Sequence, residues 1–76
     1  MIRTVNLNEI KKLKEFVNDT CKFESNVSAI SGQYKVDSKS IMGLFSLNLA
    51  EPIDVELVSD DENEINKFVE VMKKYQ

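Results

Sequence analysis

Residues 53–57 read Ile-Asp-Val-Glu-Leu, and this strict alternation puts Ile53, Val55 and Leu57 on one face of a strand and Asp54 and Glu56 on the other. A strand with one apolar and one charged face belongs to an antiparallel sheet covered on a single side, because strands buried on both faces read as continuous apolar runs. Immediately afterwards the period changes. Ser59-Asp60-Asp61-Glu62 fits a capping box, and Ile65, Phe68, Val69 and Met72 then recur at the i, i+3, i+4, i+7 spacing of a helix, with Lys73 and Lys74 at its negative end. A half-covered strand followed by an amphipathic helix calls for helices layered on one side of a sheet.

The rest of the chain supplies the other pieces. Ile2 to Val5 reads as a short β-branched strand, and Leu7 to about Thr20 as a helix with apolar Ile10, Leu13, Phe16 and Val17. Two caps compete for that helix: Asn6, with Glu9 at the third helical position and Val5 and Ile10 placed for a hydrophobic staple, or Asn8, with Glu9 beside the positive helix end. Phe23 to Ile30 reads as a half-buried strand, Ser31-Gly32 as a two-residue hairpin turn, and Gln33 to Val36 as the returning strand. Asp37 and Ser38 can cap the next element, a packed-down two-turn helix over Lys39 to Leu47. The expected order is β-α-β-β-α-β-α, an α+β fold with a four-stranded, mostly antiparallel sheet and three helices on one face, in a single domain over residues 1–76.

Composition removes whole classes of function. The net charge of -3 offers no broad positive field, and no basic stretch is interleaved with aromatics, so neither nucleic acid nor an anionic membrane is an expected partner. Tyr34 and Tyr75 are expected as packing or surface residues. The N-terminus lacks the apolar core of a secretory signal, roughly 7–15 residues, and nowhere do ~18 apolar residues run together. With a single cysteine, Cys21, no intrachain disulfide can form, which fits a reducing cytoplasm, and Cys21 itself is expected to pack as a small apolar residue. There is no histidine anywhere in the chain. The usual zinc sites and the Ser/His and Cys/His catalytic pairs are therefore closed to it, and no metal or cofactor is expected. Asp60, Asp61, Glu62 and Glu64 lack the spacing and glycine of a calcium loop and read instead as helix-start acids.

Lys39-Ser40-Ile41-Met42-Gly43-Leu44-Phe45-Ser46-Leu47 resembles the segment around the regulatory serine of HPr, the histidine-containing phosphocarrier family of the bacterial sugar phosphotransferase system. Phe16-Val17, Phe23 and Val27 stand at that family's spacing upstream of the serine, so the resemblance spans roughly residues 10 to 58, with a compatible last helix. It implies an HPr-like open-faced sandwich. It also implies a short helix whose exposed residues, Ile41, Met42 and Phe45, dock partner proteins, and a candidate regulatory phosphorylation site at Ser40.

The departure falls at the chemistry. HPr proteins carry Gly-Leu-His-Ala-Arg-Pro-Ala at the start of the first helix, where the histidine accepts the phosphoryl group and the arginine helps to hold it. Counting back without gaps from Phe16-Val17, this chain has Leu7-Asn8-Glu9-Ile10-Lys11-Lys12-Leu13, with Glu9 in the place of the histidine, Lys11 in the place of the arginine, and a shortened preceding loop. A carboxylate can accept phosphate as an acyl phosphate, with Lys11 holding the anion, but acids at helix starts commonly serve the macrodipole. The resulting reading is a non-catalytic, cytoplasmic binding or regulatory module unable to carry phosphohistidine, with phosphotransferase-system or HPr-kinase-like proteins as partners. Two alternatives stand beside it: a divergent carrier with a non-histidine acceptor, and a structural subunit whose surface helix forms a homo-oligomer.

Overall fold

The computed structural model describes residues 1–76. Strands β1 (Ile2–Val5), β2 (Asn26–Ser31), β3 (Tyr34–Asp37) and β4 (Ile53–Val58) form one antiparallel sheet in the order β1-β4-β2-β3, with α1 (Ile10–Thr20), α2 (Ile41–Phe45) and α3 (Glu62–Met72) completing the α+β arrangement. The alternating segment at 53–57 takes the central position its pattern calls for. It pairs with β1 through Arg3↔Val55 and with β2 through Ala29↔Val55, so Val5, Val27, Ala29, Ile53, Val55 and Leu57 make a continuous buried face. Asp54 and Glu56 face the open side, where Thr4 Oγ1 donates to Asp54 (2.8 Å) and Lys35 pairs with Glu56 (3.1 Å).

Leu13 and Phe16 from α1 and Phe68 and Met72 from α3 close the core against that face. The rings of Phe23 and Phe68 meet at 6.2 Å and those of Phe16 and Tyr75 at 5.4 Å, both edge-on, the geometry favoured by the aromatic quadrupole.

Several boundaries differ from the sequence expectation, each for a local reason. Helix α1 starts at Ile10 and not at Leu7; its N-cap is Glu9, whose side chain makes no cap bond, and neither Asn6 nor Asn8 serves. The Asn6 N–H donates instead to the Tyr75 carbonyl (2.7 Å), and Leu7, only 2% exposed, plugs the core, so these residues anchor the chain and cannot wind into a helix. Ile10 is 63% exposed, and the proposed staple does not close onto the core. The hairpin turn is Gly32-Gln33, one residue later than expected, because Ser31 pairs with Tyr34 and Gly32 alone takes a positive φ, +60°, as the first position of a type II′ turn requires. Strand β2 begins at Asn26, with Phe23 buried but in the preceding connection. Asp61, not Ser59, caps α3, accepting from the Asn63 N–H (2.9 Å), while Ser59 accepts from the Asp61 N–H. Cys21 is exposed, contrary to expectation: it is the C-cap of α1, beyond the last buried turn.

Candidate functional site

Residues 37–40 are held so firmly that the short helix cannot begin before Ile41. Ser38 is buried, and both its N–H (3.0 Å) and its hydroxyl (2.8 Å) donate to the Val27 carbonyl, while its own carbonyl accepts from Thr20 Oγ1 (3.1 Å). The Asp37 carboxylate accepts from the Lys39 N–H (2.9 Å), and the Asp37 carbonyl from the Ser40 N–H (3.1 Å). The expected two-turn helix is thereby shortened to five residues. Neither Asp37 nor Ser38 caps it; Ser40 does, its Oγ accepting from the Gly43 N–H at 3.2 Å. The far end is closed by Ser46, whose hydroxyl donates to the Gly43 carbonyl.

This short helix has a clear inside and outside. Leu44, followed by Leu47 past its end, is buried, and Ile41 is half-buried against the same core. Met42, 76% exposed, and Phe45, 51% exposed, point outward beside the exposed Ser40. Gly43 lies against β3; a Cβ there would stand 3.4 Å from that of Val36. The structure therefore brings Ser40, Met42 and Phe45 onto one exposed surface, with Ile41 contributing only its outer edge.

Glu9 and Lys11 stand at the start of α1. Both are exposed, and neither belongs to any of the chain's three ion pairs. Glu9 stands at the positive end of α1, where its carbonyl accepts from the Leu13 N–H (3.0 Å).

The strongest polar cluster was not legible in the sequence. Asp19, near the end of α1, accepts from Lys74 Nζ (2.7 Å) and from the Tyr75 hydroxyl (2.5 Å). Burial raises the Asp19 carboxyl, but the bonds from Lys74 and Tyr75 and the charges of Lys74 and Lys22 outweigh it and hold the group below its ordinary value. Burial, together with the neighbouring Asp19, pushes the Tyr75 hydroxyl well above the usual phenol range. A second set surrounds the connection between α1 and β2. Lys39 Nζ donates to the carbonyls of Phe23 (2.9 Å) and Ser25 (3.0 Å), Lys67 Nζ donates to that of Lys22 (2.9 Å), and the Glu64 carboxylate accepts from the N–H groups of Glu24 (2.9 Å) and Ser25 (3.0 Å).

Residues 10–76 match the family model described as the PTS HPr component phosphorylation site. The chain belongs to the HPr family. That family consists of phosphocarriers of the phosphotransferase system, and its match here begins at Ile10, one residue past Glu9. Among solved structures, the HPr fold recurs in HPr-C-His from Thermoanaerobacter tengcongensis, with a TM-score of 0.76 and 23% identity over 97% of this chain and 92% of that one. It recurs also in the phosphocarrier protein HPr from Bacillus anthracis str. Ames, with a TM-score of 0.76 and 19% identity over 100% of this chain and 96% of that one. At these identities the likeness speaks for the fold alone. No curated protein matches the chain by sequence. No helix of this HPr-family chain is long and apolar enough to cross a membrane.

Proposed function

We propose that this chain is a non-catalytic binding or regulatory module of the phosphotransferase system, working in the cytoplasm, that docks protein partners through α2 and does not carry phosphohistidine. The observation that carries the proposal is the pairing of an absent histidine with an outward-facing Met42 and Phe45: the acceptor nitrogen is missing from the whole sequence, while an adaptable apolar surface stands exposed. Glu9 is a helix-start carboxylate in this reading, and Lys11 a solvated lysine. Ser40 is the regulatory position. Its hydroxyl is exposed at the N-cap, where added negative charge meets backbone N–H groups and a favourable helix field, so a phosphate there leaves the fold intact while changing the charge beside Met42 and Phe45. Such a phosphate weakens an apolar contact or recruits an arginine-bearing partner.

Mass spectrometry after incubation with ATP and an HPr kinase tests the regulatory part, with authentic HPr in parallel. The expected result is phosphate on Ser40 that is absent from Ser40→Ala. An unmodified chain beside a labelled HPr would leave Ser40 as a structural cap only.

A further inference from the structure

The connection between α1 and β2 is held by side chains from two other elements, and one peptide unit in it is gripped from both ends. The Phe23 carbonyl accepts from the Lys39 ammonium, and the N–H on the other side of the same peptide, that of Glu24, donates to the Glu64 carboxylate. An ammonium and a carboxylate thus share one amide, and each polarises the bond that the other makes. Both charges also hold Ser25, Lys39 at its carbonyl and Glu64 at its N–H. Lys39 directly precedes the Ser40 cap of α2, and Glu64 lies in the first turn of α3. Phe23 itself is buried against Phe68, which anchors this stretch of the connection on the core.

We infer that the Phe23–Glu24 peptide is a polar relay that couples the entry of α2 to the start of α3, with Lys39 acting as the positioning residue for the docking helix. Each charge holds the peptide in the orientation the other needs, so loss of one loosens the bond at the other end, and the coupling acts equally in both directions. A partner seated on Met42 and Phe45, or a new anion at Ser40 drawing on the neighbouring Lys39 ammonium, is then felt at Glu64. The inference rests on reading α2 as the docking surface for its meaning, but not for its test.

Two nuclear magnetic resonance measurements on the full chain decide it, and neither involves a kinase or a partner, so their outcome is separate from that of the Ser40 labelling. Glu64 is held below the ordinary carboxylate value chiefly by the Ser25 N–H, with further help from Glu24 and from Lys67 on its own helix. In Lys39→Met the Glu64 carboxyl is expected to titrate at higher pH than in the unaltered chain, and in Lys39→Arg, which keeps the cation, to return toward it. In Glu64→Gln, which leaves the α2 sequence untouched, the amides of Gly43 and Leu44 are expected to exchange with solvent about fivefold faster, the lower end of ordinary coupling between sites. A Glu64 titration unmoved by Lys39→Met, or Gly43 and Leu44 exchange unmoved by Glu64→Gln, would overturn the relay.

Discussion

Tyr75→Phe removes one oxygen atom and leaves the ring, which makes it a clean probe of how the end of the chain is fastened. The Tyr75 ring is buried edge-on against Phe16, and its hydroxyl donates to an Asp19 carboxylate whose side chain is only 14% exposed. A hydrogen bond to a charged group contributes about 1.5–3 kcal/mol, and the lower end applies because Lys74 still serves the same oxygen. A loss of about 1.5 kcal/mol lowers the melting temperature of a domain this size by roughly 6–12 °C. The sign of the pH dependence comes from the direction of the Asp19 shift. Its folded value lies below the ordinary 3.8, so its contribution is present above that pH and is lost as pH falls through the folded value, where the carboxyl takes up a proton and the bond becomes an ordinary neutral one. The gap between the unaltered chain and Tyr75→Phe, measured by thermal denaturation with circular dichroism, is therefore expected to be wide near neutral pH and to narrow in acid. Equal melting temperatures at neutral pH, or a gap as wide in acid as at neutrality, would refute the reasoning.

Phe68→Ala empties a fully buried site beside Phe23 and is expected to cost about 3–5 kcal/mol, read as a lower urea midpoint; an unchanged midpoint would contradict the assigned core. Ser40→Ala removes the side-chain N-cap of α2 and is expected to cost about 1 kcal/mol, with faster exchange of the Gly43 amide; an unaltered stability would mean that the hydroxyl does not cap.

The sequence made the sheet and the two long helices legible because both carry an uninterrupted period. Ile53 to Leu57 alternates without a fault, and Phe68 and Met72 fall where a helical stripe requires them. Legibility ended where a residue's partner is distant in the chain. Asn6 looks like a helix cap, but its N–H is taken up by Tyr75, and no local pattern announces that. Tyr75 itself stands among Lys73, Lys74 and Gln76 at the end of a helix pattern, yet it is among the most buried residues, its ring set against Phe16 and its hydroxyl received by Asp19. Cys21 fails in the opposite sense: its residue type suggests burial, but α1 ends there and leaves it exposed. At the candidate site, the exposure of Met42 and Phe45 could be expected only from the resemblance, since a short apolar run reads equally well as core. The clamp made by Lys39 carries no signal at all, because a lysine that binds backbone carbonyls across the fold looks the same in sequence as one in water.

The central claim, an HPr-family chain that binds or regulates without carrying phosphate from phosphoenolpyruvate, meets its most direct test in transfer itself. The chain is incubated with phosphoenolpyruvate and the first enzyme of the phosphotransferase system, with authentic HPr in a parallel reaction, and intact mass is read before any acid treatment. The expected result is one added phosphate on authentic HPr and none on this chain. Stoichiometric phosphate on this chain, abolished by Glu9→Gln, would contradict the account and make Glu9 a phosphoryl acceptor.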